Sequence, residues 1–157
     1  MEAEQQTRRQ FCRQCSSAGL AALGGAVLGA CGGGSPTSSS GINAPALPRV
    51  TGTAGGGGVQ VTIDAASPLA SPGSAALVQS PLGTLLVSRT ASDAFSALTA
   101  TCTLEGCSIT GFLDSSYVCP CHGSRFDTSG RVLNGPASRS LRQYQTQFAN
   151  GVLTITG

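Results

Sequence analysis

The sequence predicts an all-β domain over residues 59–157. Three observations predict it. Short runs rich in Val, Ile, Leu and Thr recur at close spacing; Pro and Gly punctuate them; and no apolar stripe at helical spacing lasts more than two turns. Taken in order, Val59-Gln60-Val61-Thr62-Ile63 alternates apolar and polar residues, the pattern of a half-buried strand. Residues 75–79 and 84–88 flank Pro81-Leu82-Gly83 as a hairpin. Residues 95–100, 108–113, 141–148 and 152–155 continue the strand pattern. No internal repeat of solenoid length is visible.

Composition narrows the function classes. Of 157 residues 22 are Gly, and charged residues make up 10%, against about 25% in ordinary globular chains. A net charge of +2 gives no electrostatic reason to expect nucleic acid. All nine basic residues are Arg. Without Lys there is no Walker-type phosphate loop and no Schiff-base chemistry, and the quartet Gly55 to Gly58 lacks the Lys and the helix of a nucleotide loop. The single histidine, His122, excludes sites that need two histidines from this chain, such as His-rich zinc hydrolases and 2-His-1-carboxylate iron oxygenases.

Residues 1–30 read as an export signal. Thr7-Arg8-Arg9-Gln10-Phe11 precedes a Gly/Ala-rich apolar stretch over 16–30, the order of a twin-arginine signal. As a helix that stretch would reach about 22 Å, short of a hydrocarbon core of about 30 Å; an uncleaved membrane helix is the competing reading. Leu28-Gly29-Ala30-Cys31 resembles a bacterial lipobox, in which small residues fit a narrow peptidase groove and Cys31 is acylated. Two or more acyl chains give stable anchoring where one does not. The twin-arginine route carries folded proteins, so it suits a protein that receives a cofactor before export.

Residues 31–58 have almost no large apolar side chains and many Gly, Ser, Thr and Pro. They are expected to form a flexible tether, about 29 Å in root-mean-square reach for residues 32–58.

Of seven cysteines, Cys12 and Cys15 fall in the signal, and Cys31 is the lipidation candidate. The other four lie in two short stretches, Cys102-Thr103-Leu104-Glu105-Gly106-Cys107 and Cys119-Pro120-Cys121-His122-Gly123-Ser124-Arg125-Phe126-Asp127. Four cysteines in an exported domain are compatible with two structural disulfides, which leaves His122 unexplained.

The second stretch, together with Gly130 and Asn134-Gly135-Pro136-Ala137, resembles the Rieske iron–sulfur domain, and the resemblance extends over nearly all of 59–157. It implies an antiparallel β-sandwich with two cluster-binding loops joined by a disulfide. It implies Cys102, Cys119 and His122 as ligands of a 2Fe-2S cluster and Cys107–Cys121 as the disulfide. Ser124 matches a hydroxyl that hydrogen-bonds a cluster sulfide, and Gly135-Pro136 matches the loop that covers the cluster. Two imidazoles in place of two thiolates reduce the negative charge on such a centre, so Rieske potentials span about −150 to +300 mV against about −400 mV for plant-type clusters. Phe126 stands where the family has a Tyr, so one hydroxyl donor toward a ligand sulfur is absent and a lower potential is expected.

The chain departs from the family at Leu104, which stands where the first loop has its His. Leu has no lone pair, and no second His exists to replace it. Three outcomes stay open. Water, hydroxide or Glu105 completes the outer iron; the disulfide stays reduced and Cys107 or Cys121 supplies a third thiolate; or no cluster binds and the domain is a degenerate fold acting as a structural or interaction module. A mononuclear site at Cys102, Cys119 and His122, resembling a zinc site with one water, is a further option.

The resemblance implies an electron-transfer protein or oxidoreductase subunit rather than a stand-alone catalyst. It would be exported to the bacterial cell envelope, held to the membrane through Cys31, and paired with a cytochrome or a periplasmic oxidoreductase subunit. A thiol–disulfide oxidoreductase built on Cys119-Pro120-Cys121 would need a helix after the motif, and none is patterned there. Arg125, Arg131, Arg139 and Arg142 read as a solvated face or as a docking set for an acidic partner. Phe95, Phe112, Tyr144 and Phe148 read as core or strand-face residues.

Overall fold

The computed structural model describes residues 43–157. The export signal, the lipobox with Cys31 and the first part of the expected tether lie outside them.

The described residues form twelve strands and no helix. Two strands set the architecture. β4 (Ala75–Ser80) and β5 (Gly83–Ala91) pair in antiparallel register through the turn at Pro81-Leu82, and both are buried on both faces. Leu77 and Leu86 belong to one apolar cluster; Ala76, Val78, Leu85 and Val87 belong to another. Alternate side chains thus serve two cores, which is why these runs are continuously apolar rather than alternating.

Around this pair an eight-stranded sheet runs in the order β1-β4-β5-β6-β11-β12-β3-β2, with β1 Arg49–Thr51, β2 Thr53–Gly55, β3 Gly58–Thr62, β6 Ala94–Thr99, β11 Gln143–Ala149 and β12 Val152–Thr156. Its two outermost strands, β1 and β2, are separated in the chain by Gly52 alone. The sheet therefore rolls up until its edges almost meet. A Cβ on Gly52 would lie 2.5 Å from Val59 Cγ1 and 3.0 Å from Val78 Cγ1, so only glycine lets the seam close. The rolled interior holds Val59, Val61, Leu69, Val78, Leu85, Leu153 and Ile155, all nearly inaccessible to solvent.

A smaller sheet, β10-β9-β8-β7, packs over the other face. It comprises β7 Gly111–Leu113, β8 Ser116–Val118, β9 Arg125–Asp127 and β10 Val132–Asn134. Tyr117 and Phe126 are its fully buried anchors and share a core with Leu77, Leu86, Leu98, Cys102 and Cys119.

Two sequence expectations are corrected. The tether does not extend to residue 58. Residues 43–58 are stitched to both sheets: Leu47 N–H donates to Thr110 O at 2.8 Å, Leu77 N–H to Pro48 O at 2.8 Å and Gly52 N–H to Gln79 O at 2.8 Å, while Leu47 is buried and Val50 packs on the second core. Composition hides this because an edge strand draws its apolar contacts from its neighbours. Nor is the pairing wholly antiparallel, because β1 runs parallel to β4, with Val50 opposite Val78.

Candidate metal centre

The two cysteine stretches fold into loops at one end of the small sheet. The first joins β6 to β7 and is pinched at its base by the Thr101–Ser108 bridge. The second joins β8 to β9. Their internal hydrogen bonds correspond position by position. Cys102 N–H donates to Cys107 O at 2.8 Å and Gly106 N–H to Cys102 O at 3.0 Å; Cys119 N–H donates to Ser124 O at 2.9 Å and Gly123 N–H to Cys119 O at 3.0 Å. The fifth residue of each loop is a glycine at positive φ, +73° for Gly106 and +75° for Gly123, where a side chain would be strained.

A disulfide between Cys107 and Cys121 braces the loops. This excludes the arrangement in which either cysteine stays reduced and offers a third thiolate. Cys102 and Cys119 remain as buried free thiols, and the Cys119 sulfur lies with the two disulfide sulfurs in a group spanning no more than 4.8 Å. Burial raises the pKa of the Cys119 thiol, the backbone amides of Cys121 and His122 oppose that rise, and the neighbouring Cys102 thiol adds to it. A cation bound at Cys119 would favour the thiolate.

His122 lies outside the 4.8 Å sulfur group. Its imidazole is partly exposed, with Nε2 3.6 Å from Glu105 Oε2. Leu104 is 38% exposed and does not fill the interior. The donor set thus suits a two-iron centre at three positions: two adjacent buried thiols on the inner side and one imidazole on the outer side. The fourth position has no donor at Leu104. The same spread of donors does not bring Cys102, Cys119 and His122 together as the tight group that a single tetrahedral ion needs.

A third loop secures the first two. Ser124 is fully buried and its Oγ accepts from Ala137 N–H at 3.1 Å, which leaves the hydroxyl proton available. Gly135 lies directly on Ser124, and a Cβ there would come within 2.5 Å of Ser124 Cα. On the other side Thr103 Oγ1 donates to Arg139 O at 2.6 Å, and Arg139 Nη2 donates to Thr103 O at 3.4 Å. Residues 134–139 therefore clamp both ligand loops. Gly135-Pro136 and Ser124 are residues the sequence had singled out. The Thr103–Arg139 link was not foreseen, since nothing in two polar residues 36 positions apart signals it.

Besides Arg139, two of the arginines singled out in the sequence make side-chain contacts within the fold, while Arg131, Arg139 and Arg142 stay exposed. Arg125 donates to Ser116 Oγ at 2.8 Å and to Leu113 O at 3.3 Å, and the Arg142 guanidinium lies 4.9 Å from the centre of the Tyr144 ring. Phe126 is fully buried beside Cys102 and Cys119 in one core.

Comparison with known proteins places these loops in context. The Rieske [2Fe-2S] domain family profile matches residues 61–145, more than half of the chain. The cytochrome b6-f complex iron-sulfur subunit of Chlorobaculum thiosulfatiphilum is 33% identical over 64 residues, which is 40% of this chain and 35% of that protein. The subunit of the same name from Cyanothece sp. is 37% identical over 60 residues, 38% of this chain and 34% of that protein. The chain thus spans about a third of the length of these curated relatives. Among solved structures, a chain from a complex of reduced oxygenase and oxidized ferredoxin in carbazole 1,9a-dioxygenase matches with 25% identity and a TM-score of 0.50, over 62% of this chain and 93% of that one.

Proposed function

The chain belongs to the Rieske [2Fe-2S] domain family, and from that premise we propose that it is an exported electron-transfer subunit tethered to the membrane through Cys31. Family membership indicates a [2Fe-2S] cluster, which when bound supplies one-electron chemistry. The rest is the work of this chain's residues. Cys102 and Cys119 would hold the inner iron and His122 the outer one. The Cys107–Cys121 disulfide and the 134–139 clamp would fix the loops and limit reorganisation. Ser124, its hydroxyl proton free, would donate to the cluster's sulfide side. The exposed imidazole of His122 would face the partner, a cytochrome as the relatives' names suggest or another oxidoreductase subunit.

The observation that carries this reading is the pair of buried free thiols Cys102 and Cys119 beneath two loops of matching geometry braced by a disulfide. A thiol–disulfide catalyst is disfavoured by the strand that follows the Cys119-Pro120-Cys121 motif where such an enzyme needs a helix. A second reading, a cluster-free module, is favoured by Leu104.

One experiment separates the two. The full chain, produced with ample iron and purified without oxygen, is assayed for iron and acid-labile sulfide, and its reduced EPR spectrum is recorded. Two irons and two sulfides per chain with a reduced-cluster signal are expected. A folded chain free of both would overturn the electron-carrier reading in favour of the module. Anchoring is tested by fractionation of the Cys31→Ala chain, which should leave the membrane fraction.

A further inference from the structure

We propose that Asn134 is a site of spontaneous covalent modification, where the side-chain amide closes onto the Gly135 nitrogen and reopens as aspartate or isoaspartate. Three observations meet there. Asn134 precedes a glycine, so no Cβ shields the attacking nitrogen. Gly135 N–H donates to Asn134 Oδ1 at 2.8 Å. With a C=O bond of about 1.23 Å, that nitrogen lies within about 4.0 Å of Cγ. Reacting atoms poised for attack stand about 3–3.5 Å apart, so a small side-chain rotation completes the approach. Both residues are exposed, which admits the hydroxide that takes the amide proton and the water that opens the ring.

The reaction needs no oxidant. The deprotonated Gly135 nitrogen bonds to Asn134 Cγ, the Cγ–Nδ2 bond breaks, and ammonia leaves with a proton from water. Water then cleaves one of the two C–N bonds of the five-membered imide. Cleavage at Cγ gives aspartate. Cleavage at the Asn134 backbone carbon gives isoaspartate, whose main chain runs through Cβ and Cγ. One water is consumed and one ammonia released.

The other asparagines of the chain are placed differently. Asn43 precedes Ala44, whose Cβ hinders attack. Asn150 precedes Gly151, but both have positive φ, +51° and +76°, in the tight turn between β11 and β12. A left-handed backbone turns the following nitrogen away from the residue's own Cβ. Among the described residues, Asn134 is the asparagine whose side chain reaches the next amide. Nor can a bulkier residue protect the bond, because a Cβ on Gly135 would stand 2.5 Å from Ser124 Cα. The close approach that clamps the metal loops therefore preserves a labile pair. Conversion strikes the same clamp. Either product adds a negative charge at neutral pH, and isoaspartate lengthens the main chain by one carbon–carbon bond of about 1.5 Å. Gly135 has no space against Ser124 to absorb that length, so the 134–139 loop should rise and free the Ala137 amide from Ser124 Oγ.

The test ages the full chain in warm buffer, from neutral to mildly alkaline pH, both folded and in concentrated urea. Peptide mass spectrometry reads the gain of one dalton at each asparagine, and an isoaspartate-specific methyltransferase with its methyl donor reads the isomer. In the folded chain Asn134 should convert at least ten-fold faster than Asn43 and at least three-fold faster than Asn150. Its rate should rise with hydroxide, and its lead over Asn150 should vanish in urea. Hydrogen exchange at Ala137 should be at least ten-fold faster in isoaspartate-bearing chains, whereas Asn134→Gln, which closes a six-membered ring far more slowly, should keep that amide protected through ageing. An Asn134 that outlasts Asn150 in the folded chain would overturn the proposal. An Ala137 amide still protected beside isoaspartate would overturn its link to the clamp. None of these readouts needs a bound cluster, so the outcome is independent of the electron-carrier reading.

Discussion

Replacing Gly135 by Ala tests how tightly the third loop is pressed onto the metal loops. The added Cβ would stand 2.5 Å from Ser124 Cα and 3.0 Å from Ser124 N, where carbon atoms prefer about 3.5–4.0 Å. The overlap is therefore on the order of 1 Å. Ser124 cannot retreat: it is fully buried, its carbonyl accepts from Cys119 N–H and its Oγ accepts from Ala137 N–H. Gly135 also has φ of +104°, a conformation costing a side-chain-bearing residue about 1–3 kcal/mol. Overpacking adds about 1–3 kcal/mol. Together Gly135→Ala should lose about 2–6 kcal/mol, against a stability of about 5–15 kcal/mol for a typical domain. The chain should stay folded with the 134–139 loop lifted from Ser124. Urea titration reads the loss, and hydrogen exchange at the Ala137 amide reads the lifting. A loss under about 0.5 kcal/mol with Ala137 still protected would refute the close-approach argument, because surface changes without strain fall in that range.

Three further outcomes follow from the same geometry. Cys107→Ala combined with Cys121→Ala opens a loop with a sequence separation of 14, for which chain entropy gives about 3 kcal/mol, and the urea midpoint should fall accordingly; an unchanged midpoint would mean the loops are held without the brace. Burial opposes ionisation of Asp127, but hydrogen bonds from Ser129 and the Arg131 amide, with the Arg131 charge, hold its carboxyl below the usual range. Its contribution is therefore present above the unfolded-state value of about 4 and lost as pH falls through the folded value; Asp127→Asn should cost about 1 kcal/mol at pH 7 and flatten the acid limb of the stability curve. Burial pushes the Tyr117 phenol well up, slightly offset by nearby Ser88, although neither hydroxyl makes a hydrogen bond of normal geometry. Stability should fall above pH about 10, where only the unfolded chain loses that proton. Tyr117→Phe should remove this alkaline limb and gain about 1 kcal/mol at neutral pH by deleting an unpaired buried group.

The long strands were legible because their side chains carry the pattern: the alternation at 59–63, the hairpin about Pro81-Leu82-Gly83 and the final pair at 143–156 all appear where the residues place them. The strands that went unread are three residues each. β8, β9 and β10 are too short for periodicity, and β1 and β2 lie among Gly, Pro and Thr, where pairing rests on main-chain bonds that any residue can make. The metal loops were legible as a cysteine–histidine pattern. Glu105 was legible only as one of several candidates beside His122, because their 3.6 Å separation depends on how the two loops fold together.

The near-meeting of β1 and β2 has a bearing on solubility. An open eight-stranded sheet would present two long rows of unpaired amides to other chains, a template for aggregation. Here the outermost strands are only three residues each and are joined to one another through Gly52, while the free side of β7 is partly covered by the Ala46–Gly111 bridge. A chain cut at residue 58 would lose these guards and bare the six-residue β4 and the five-residue β3, both rich in β-forming apolar residues. Residues 43–55 thus keep neighbouring copies from pairing edge to edge.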